Sequence, residues 1–140
     1  MITRLSGTNG GMDDDGAIII ETVGGVGYRV LFSDRDRTVI NQKGVHALCV
    51  AIRAHTREDG TTLYGFLHAD DRLVFDRVCK VKGLGARAAL ALLSVQDAKW
   101  VTRVLDSKDV AVLQTIPGIG KTNAAKLCGL APPPKKAVAK

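Results

Sequence analysis

The sequence is poor in aromatic residues and has no apolar stretch long enough to cross a membrane. Aromatic side chains make up 4% of the 140 residues. No apolar run is longer than the six residues of 88–93, whereas a membrane-spanning helix needs roughly 20 apolar residues. Residues 1–5 lack the apolar core of a secretion signal. Together these absences predict a globular, cytoplasmic protein with no membrane partner.

Clusters of metal-binding or reactive side chains are also missing. We therefore expect reduced thiols, no metal and no bound cofactor. The sequence has no Walker-type phosphate loop, so ATP hydrolysis by this chain is not expected. The cysteines and histidines, none of which has metal-ligand spacing, are Cys49, Cys79, Cys128, His46, His55 and His68.

Charge is divided unevenly along the chain. Residues 1–66 contain seven Lys and Arg against eight Asp and Glu, whereas residues 67–140 contain thirteen against six. A basic half is typical of proteins that bind nucleic acid. Solvated basic helices are the alternative interpretation.

The first half is patterned as β-structure, because β-branched and apolar residues come in short runs between Gly, Asn and Asp clusters. The predicted strands are residues 2–7, 17–23, 27–33, 46–56 and 61–67, and residues 33–37 lead into a longer connection. Five short antiparallel strands predict an OB-type β-barrel domain over residues 1–67. Four aromatic side chains of this domain fit core packing, with base stacking as the alternative: Tyr28, Phe32, Tyr64 and Phe66.

The motif apolar-x-Gly-apolar-Gly occurs twice in the second half. Gly83 and Gly85 belong to the first copy, and Gly118 and Gly120 lie 35 residues later. The first glycine of each copy suits a positive φ, and the second allows close approach to the main chain where a helix starts. Amides at such a start favour an anion. One copy would be an ordinary turn, but two in register predict a tandem helix-hairpin-helix.

Helical periodicity begins near Asp70 and continues around both motifs. The predicted helices run from residue 70 into the first motif, then over residues 86–93, 97–105 and 108–114, with a last helix that Gly129 cuts short. The fold class is therefore α+β with two domains, the second being all-α over residues 68–130. Residues 131–140 are predicted to be a flexible tail rich in Pro and Lys.

Several segments together resemble the RuvA family over residues 1–128. The matching segments are Met1-Ile2-x-Arg4-Leu5-x-Gly7, Val23-Gly24-Gly25-Val26-Gly27-Tyr28, Arg57-Glu58-Asp59, Leu63-Tyr64-Gly65-Phe66 and the two hairpins. The resemblance implies an OB-fold barrel, a tandem helix-hairpin-helix domain and a homotetramer. It also implies binding to four-way (Holliday) DNA junctions during branch migration, recombination and repair.

The resemblance, together with the chemistry of the hairpins, implies contacts to DNA phosphates, which do not read the base sequence. Where the family commonly has Pro and Lys, this chain has Ala86 and Arg87. The predicted DNA-binding residues are Lys82, Gly83, Gly85, Ala86 and Arg87 in the first hairpin, and Gly118, Gly120, Lys121, Thr122 and Asn123 in the second.

The acidic pair Glu58 and Asp59 lies between the last two predicted strands, ahead of a Gly that favours a tight turn. One interpretation is a hairpin tip selected for its backbone angles. The resemblance implies an acidic pin that repels phosphates at the junction centre. No His or further acid lies nearby in sequence, so we assign the pair no catalysis.

Other classes of function stay open. A helix-hairpin-helix repair enzyme would need a catalytic Asp beyond its hairpin, and no acid follows Gly120. A general duplex or single-strand binder would act as a monomer without preference for junctions. In the family a RuvB-type ATPase docks on a further C-terminal domain. The sequence ends near the expected linker, so its recruitment is uncertain.

Overall fold

A computed structural model describes residues 1–42 and 46–129, and the predicted tail at 131–140 lies outside the described residues. The chain divides into two compact units, Met1–Leu73 and Val74–Lys140. The predicted domain limit at residues 67 and 68 stays a prediction. The described elements of the first unit are β1 (Arg4–Met12), β2 (Ile18–Glu21), β3 (Gly27–Leu31), α1 (Asp34–Ile40), β4 (Ala47–Arg57) and β5 (Gly60–Phe66).

The strands form a closed barrel in the order β1-β2-β3-β5-β4. Neighbouring strands are antiparallel except β3 and β5, which pair in parallel. Alternate residues point inward, as the two-residue period of a strand requires. The predicted five-stranded barrel is confirmed, but the prediction that all of its strands are antiparallel is wrong, because β3 and β5 are distant in sequence and close the barrel in parallel. Fully buried aliphatic side chains fill it: Ile18, Ile20, Val30, Val50 and Ile52.

A helix replaces part of the long connection that the sequence predicted after β3. Ser33 caps α1, its hydroxyl accepting a hydrogen bond of 3.2 Å from the Asp36 amide. Ile40 is fully buried in the barrel core. The prediction was wrong because most residues of α1 are polar and only one end of it has a buried apolar side chain. The serine cap was the available signal.

The core prediction for the barrel aromatics is confirmed for three of the four. Phe32 and Phe66 are buried, and Tyr28 packs against the core cluster. Tyr64 is only half-buried and lies edge to face against His55, with 5.2 Å between ring centroids.

The helices after the barrel are short and follow one another closely. The sequence predicted that α5 begins at Lys108. Instead, Lys108 ends α4 in a left-handed conformation. Asp109 instead caps α5 by accepting from the Val112 amide at 3.2 Å. The described helices are α2 (Ala69–Cys79), α3 (Ala86–Val95), α4 (Ala98–Ser107), α5 (Val110–Gln114) and α6 (Lys121–Leu127).

Within the described residues, none of these helices combines the length and apolarity needed to span a bilayer. Cys49, Cys79 and Cys128 are free thiols. Burial raises the pKa of the Cys79 and Cys128 thiols, which keeps them protonated and unreactive.

Two carboxyl groups are buried in the first unit, at Asp36 and Asp71. Asp36 accepts a hydrogen bond from the Leu67 amide at 3.1 Å. Burial raises the pKa of both groups, and the negative charge of Asp36 raises that of Asp71 further. A raised pKa means that the folded state holds the proton more tightly than the unfolded state. The free energy of unfolding therefore falls as pH rises from the ordinary carboxyl pKa to the raised one.

We expect Asp71→Asn to raise the melting temperature by a few degrees at pH 7, because it removes a charge that burial disfavours. At a pH below the ordinary carboxyl pKa the gain should disappear, since the aspartate is then neutral in both states. Thermal unfolding from pH 3 to pH 8 measures this. Asp14→Asn, at an exposed position of the same unit that does not affect the pKa of Asp71, is the control. An equal gain at every pH would contradict the assignment.

Candidate nucleic-acid interface

Both glycine motifs fold into the same turn. In the first, the Leu84 amide donates to the Val81 carbonyl at 3.1 Å. In the second, the Ile119 amide donates to the Ile116 carbonyl at 3.0 Å. The turn joins α2 to α3 in one case and α5 to α6 in the other. The repeat seen in the sequence is therefore a structural repeat.

The four motif glycines have two different roles. Gly83 and Gly118 adopt φ angles of +85° and +91°, in the left-handed region that L-residues other than glycine rarely occupy. Gly85 and Gly120 have extended conformations and stand at the N-caps of α3 and α6. A Cβ added to either N-cap glycine would meet nothing within 4 Å. Each N-cap position therefore has free space beside its main chain.

Within the described part of the chain, no side chain accepts a hydrogen bond from the amides at these two helix starts. Neither Gly85 nor Gly120 provides a side-chain cap, and the first turns of α3 and α6 contain no acid. By contrast, Ser33, Asp97 and Asp109 cap α1, α4 and α5. An uncapped first turn leaves N–H groups for water or a ligand. The helices that follow the hairpins, α3 and α6, thus have free N–H donors in their first turns, whereas a side chain binds one such donor in α1, α4 and α5.

Basic and polar side chains surround the first turns. Lys82 and Arg87 are exposed at the first hairpin, as are Lys121 and Thr122 at the second. Ala86 is buried. Asn123 is half-buried. The predicted site residues therefore gather around two turns.

Lys126 lies beside the first hairpin, a position that the sequence did not predict. It lies on α6, yet its Nζ is 3.0 Å from the position that a Cβ on Gly83 would occupy. With Val81, Lys82 and Gly83 it lines a cavity of about 390 Å³. An ammonium group from the second hairpin thus stands over the turn of the first. The sequence carried a weak signal, a basic residue in the last turn of α6.

The acidic pair lies at the tip of the β4–β5 hairpin. Arg57 pairs with Gly60, which leaves Glu58 and Asp59 as a two-residue loop. Both acidic residues are exposed. Among the described residues no group of three or more His, Cys, Asp or Glu is placed to hold a metal ion. The tip concentrates negative charge at the end of a narrow hairpin.

We expect Gly83→Ala and Gly118→Ala to lower the free energy of unfolding by about 1–2 kcal/mol each, the cost of a left-handed L-residue. The two losses should be similar, because the Lys126 ammonium group near the added Cβ of Gly83 is the flexible end of a side chain and can move aside. Gly85→Ala and Gly120→Ala are the matched controls and should cost less, under about 1 kcal/mol each, because their φ suits any residue and only the N-cap preference for glycine over alanine is lost. Urea denaturation measures all four. Equal losses in both pairs would contradict the division of roles.

Comparison with known protein families assigns both halves of the chain. Residues 1–65 match the model "RuvA N terminal domain", and residues 75–128 match "SAM-like Helix-hairpin-helix tandem". The first match covers the barrel strands except the last residue of β5. The second covers both glycine turns.

Curated relatives give the same result. A protein named Holliday junction branch migration complex subunit RuvA from Francisella tularensis subsp. novicida is 40% identical over 116 residues, which are 81% of this chain and 52% of the relative. The protein of the same name from Beutenbergia cavernae is 37% identical over 131 residues, or 91% of this chain and 62% of the relative. The chain thus spans a little over half the length of these relatives. Over its barrel and its two hairpins, the chain belongs to the RuvA family.

Proposed function

We propose that the protein binds four-way DNA junctions through both hairpins, independently of base sequence. The observation that carries the proposal is the repeated helix start, uncapped and open at Gly85 and Gly120. Anions bind at such amides, and phosphate oxygens are the anions that DNA repeats along its length. The relatives carry the name of a Holliday junction subunit, which supports a branched substrate.

In this proposal, main-chain amides and basic side chains jointly bind the DNA phosphates. Arg87 and Lys121 neutralise charge beside the two helix starts. Lys82 and Lys126 line one cavity at the first hairpin, so one phosphate there is shared by side chains from both hairpins. Each neutralised phosphate should lower log K by about 0.9 per tenfold increase in salt. Such contacts fix the position of a duplex and do not read bases.

The tip of the β4–β5 hairpin acts at the junction centre in this proposal. Glu58 and Asp59 repel phosphates at short range, which discourages the crossover strands from closing. A homotetramer would bring four such tips around one centre, in accordance with the fourfold form of a junction. The chain has no catalytic role in this scheme, and ATP-driven migration would belong to a separate RuvB-type ATPase.

We expect Gly85→Leu combined with Gly120→Leu to lower affinity for a synthetic four-way junction by at least about tenfold. The side chains would fill the space that phosphates need, and a hydrogen bond to a charged group contributes roughly 1.5–3 kcal/mol. The fold should persist because both positions are extended and open. Fluorescence anisotropy at fixed salt measures the affinity.

Gly24→Leu is the matched control, since Gly24 also has nothing within 4 Å of an added Cβ and lies outside the hairpins. It should bind like the unaltered protein. Undiminished junction binding by the double variant would defeat the proposal. If the unaltered protein binds linear duplex and junction with equal affinity at the same salt, it is a general DNA-binding protein without preference for junctions.

A coupled effect is expected for Lys82→Gln and Lys126→Gln. If both ammonium groups hold one phosphate, the double variant should lose less affinity than the two single losses combined. Lys82→Gln with Lys121→Gln is the control, because Lys121 belongs to the other turn, and its losses should add. Additive losses in both cycles would show separate phosphates.

Removing the tip charges with Glu58→Gln and Asp59→Asn should strengthen junction binding several-fold, because repulsion of phosphates is lost. The crossover should also open less, which 2-aminopurine placed at the junction centre reports as lower fluorescence. Asp14→Asn with Asp70→Asn removes two exposed charges elsewhere and serves as the control. Unchanged fluorescence in the tip variant would leave Glu58 and Asp59 as turn residues only.

A further inference from the structure

All acids of the helical segment 74–129 are engaged within the protein. Asp97 and Asp109 accept hydrogen bonds from the first turns of α4 and α5. Asp106 pairs with Arg77, with 2.9 Å between Oδ1 and Nη2. Asp76, the remaining acid, also has an interaction partner. Nine Lys and Arg stand against these four acids in residues 74–129, so positive charge is left over.

The surplus includes a pair of basic side chains on the outer face of α4. Lys99 and Arg103 are exposed and lie one turn apart, on the side opposite the buried Val101 and Leu105. Like charges at this spacing destabilise a helix. Among residues 1–42 and 46–129, neither side chain forms an ion pair. The fold gains nothing from placing these two charges together.

We infer that Lys99 and Arg103 form a third phosphate-binding element that contacts DNA outside the two hairpins. The inference rests on the proposed function. Basic side chains one helical turn apart are about 5–6 Å apart at Cβ, which suits successive charges along a polyanion. The nearest acids in sequence, Asp97 and Asp106, already bind the Trp100 amide and Arg77, and the face belongs to the same compact unit as both hairpins. DNA phosphates are the anions that this unit is proposed to bind.

The test is the salt dependence of junction binding by the double variant Lys99→Gln, Arg103→Gln. Two lost phosphate contacts should reduce the slope of log K against log salt by about 1.8. At about 0.1 M salt, where the Debye length is about 10 Å, affinity should fall more than about tenfold. Circular dichroism should show an unchanged or slightly raised melting temperature, because like-charge repulsion is removed.

A charge-matched control separates contact from general electrostatics. Arg4→Gln with Arg35→Gln removes two exposed charges from the first unit and should leave the slope nearly unchanged. An unaltered slope in the α4 variant would overturn the inference, as would equal reductions in the variant and the control. If an acidic polypeptide such as poly-glutamate binds the unaltered protein but not the α4 variant, while the junction slope stays the same, the face serves a protein partner.

The failure of this inference can be told apart from failure of the proposed function. If Gly85→Leu with Gly120→Leu abolishes junction binding while the α4 variant binds normally, the function stands and α4 plays no part. If the unaltered protein shows no preference for junctions, the proposed function fails. The slope measured on linear duplex then decides alone whether α4 contacts phosphates.

Discussion

The hydrogen bond that closes each hairpin turn is the interaction on which the helical domain depends. It joins the Leu84 amide to the Val81 carbonyl, and Ile119 to Ile116 in the second copy. In both turns the third residue, Gly83 or Gly118, adopts a positive φ, as a type II turn requires at that position. The chain then enters the next helix at an extended glycine with no side chain to cap it. The same constraint thus shapes the turn and leaves its amides available.

The two halves of the chain handle charge in opposite ways. In the barrel, cations and acids pair locally, as Arg29 does with Asp13 and Asp15. In the helical segment, the acids cap helices or pair internally, and most basic groups remain exposed. Net positive potential therefore concentrates around the hairpins and α4, which favours long-range attraction of a polyanion. The acidic tip at Glu58 and Asp59 is the exception within the proposed binding scheme.

Local patterns predicted most of the fold, and long-range packing explains the misses. The barrel strands and both hairpins followed from two-residue alternation and from glycine spacing, which act over a few residues. Helix α1 was missed because its one fully buried side chain, Ile40, is held by strands distant in sequence. The position of Lys126 was not predicted because it lies six residues beyond Gly120 in sequence but beside Gly83 in the fold. Only the packing of one hairpin against the other makes that contact.

The sequence by itself determined the two glycine turns, the alternation that makes a barrel and the excess of basic charge in the second half. Each of these depends on backbone preferences or composition, which need no distant partner. The tertiary structure decided which groups share a cavity, as Lys82 and Lys126 do. It also decided which carboxyls are buried, as at Asp36 and Asp71. Distances and burial arise only when distant segments pack together, so no local pattern encodes them.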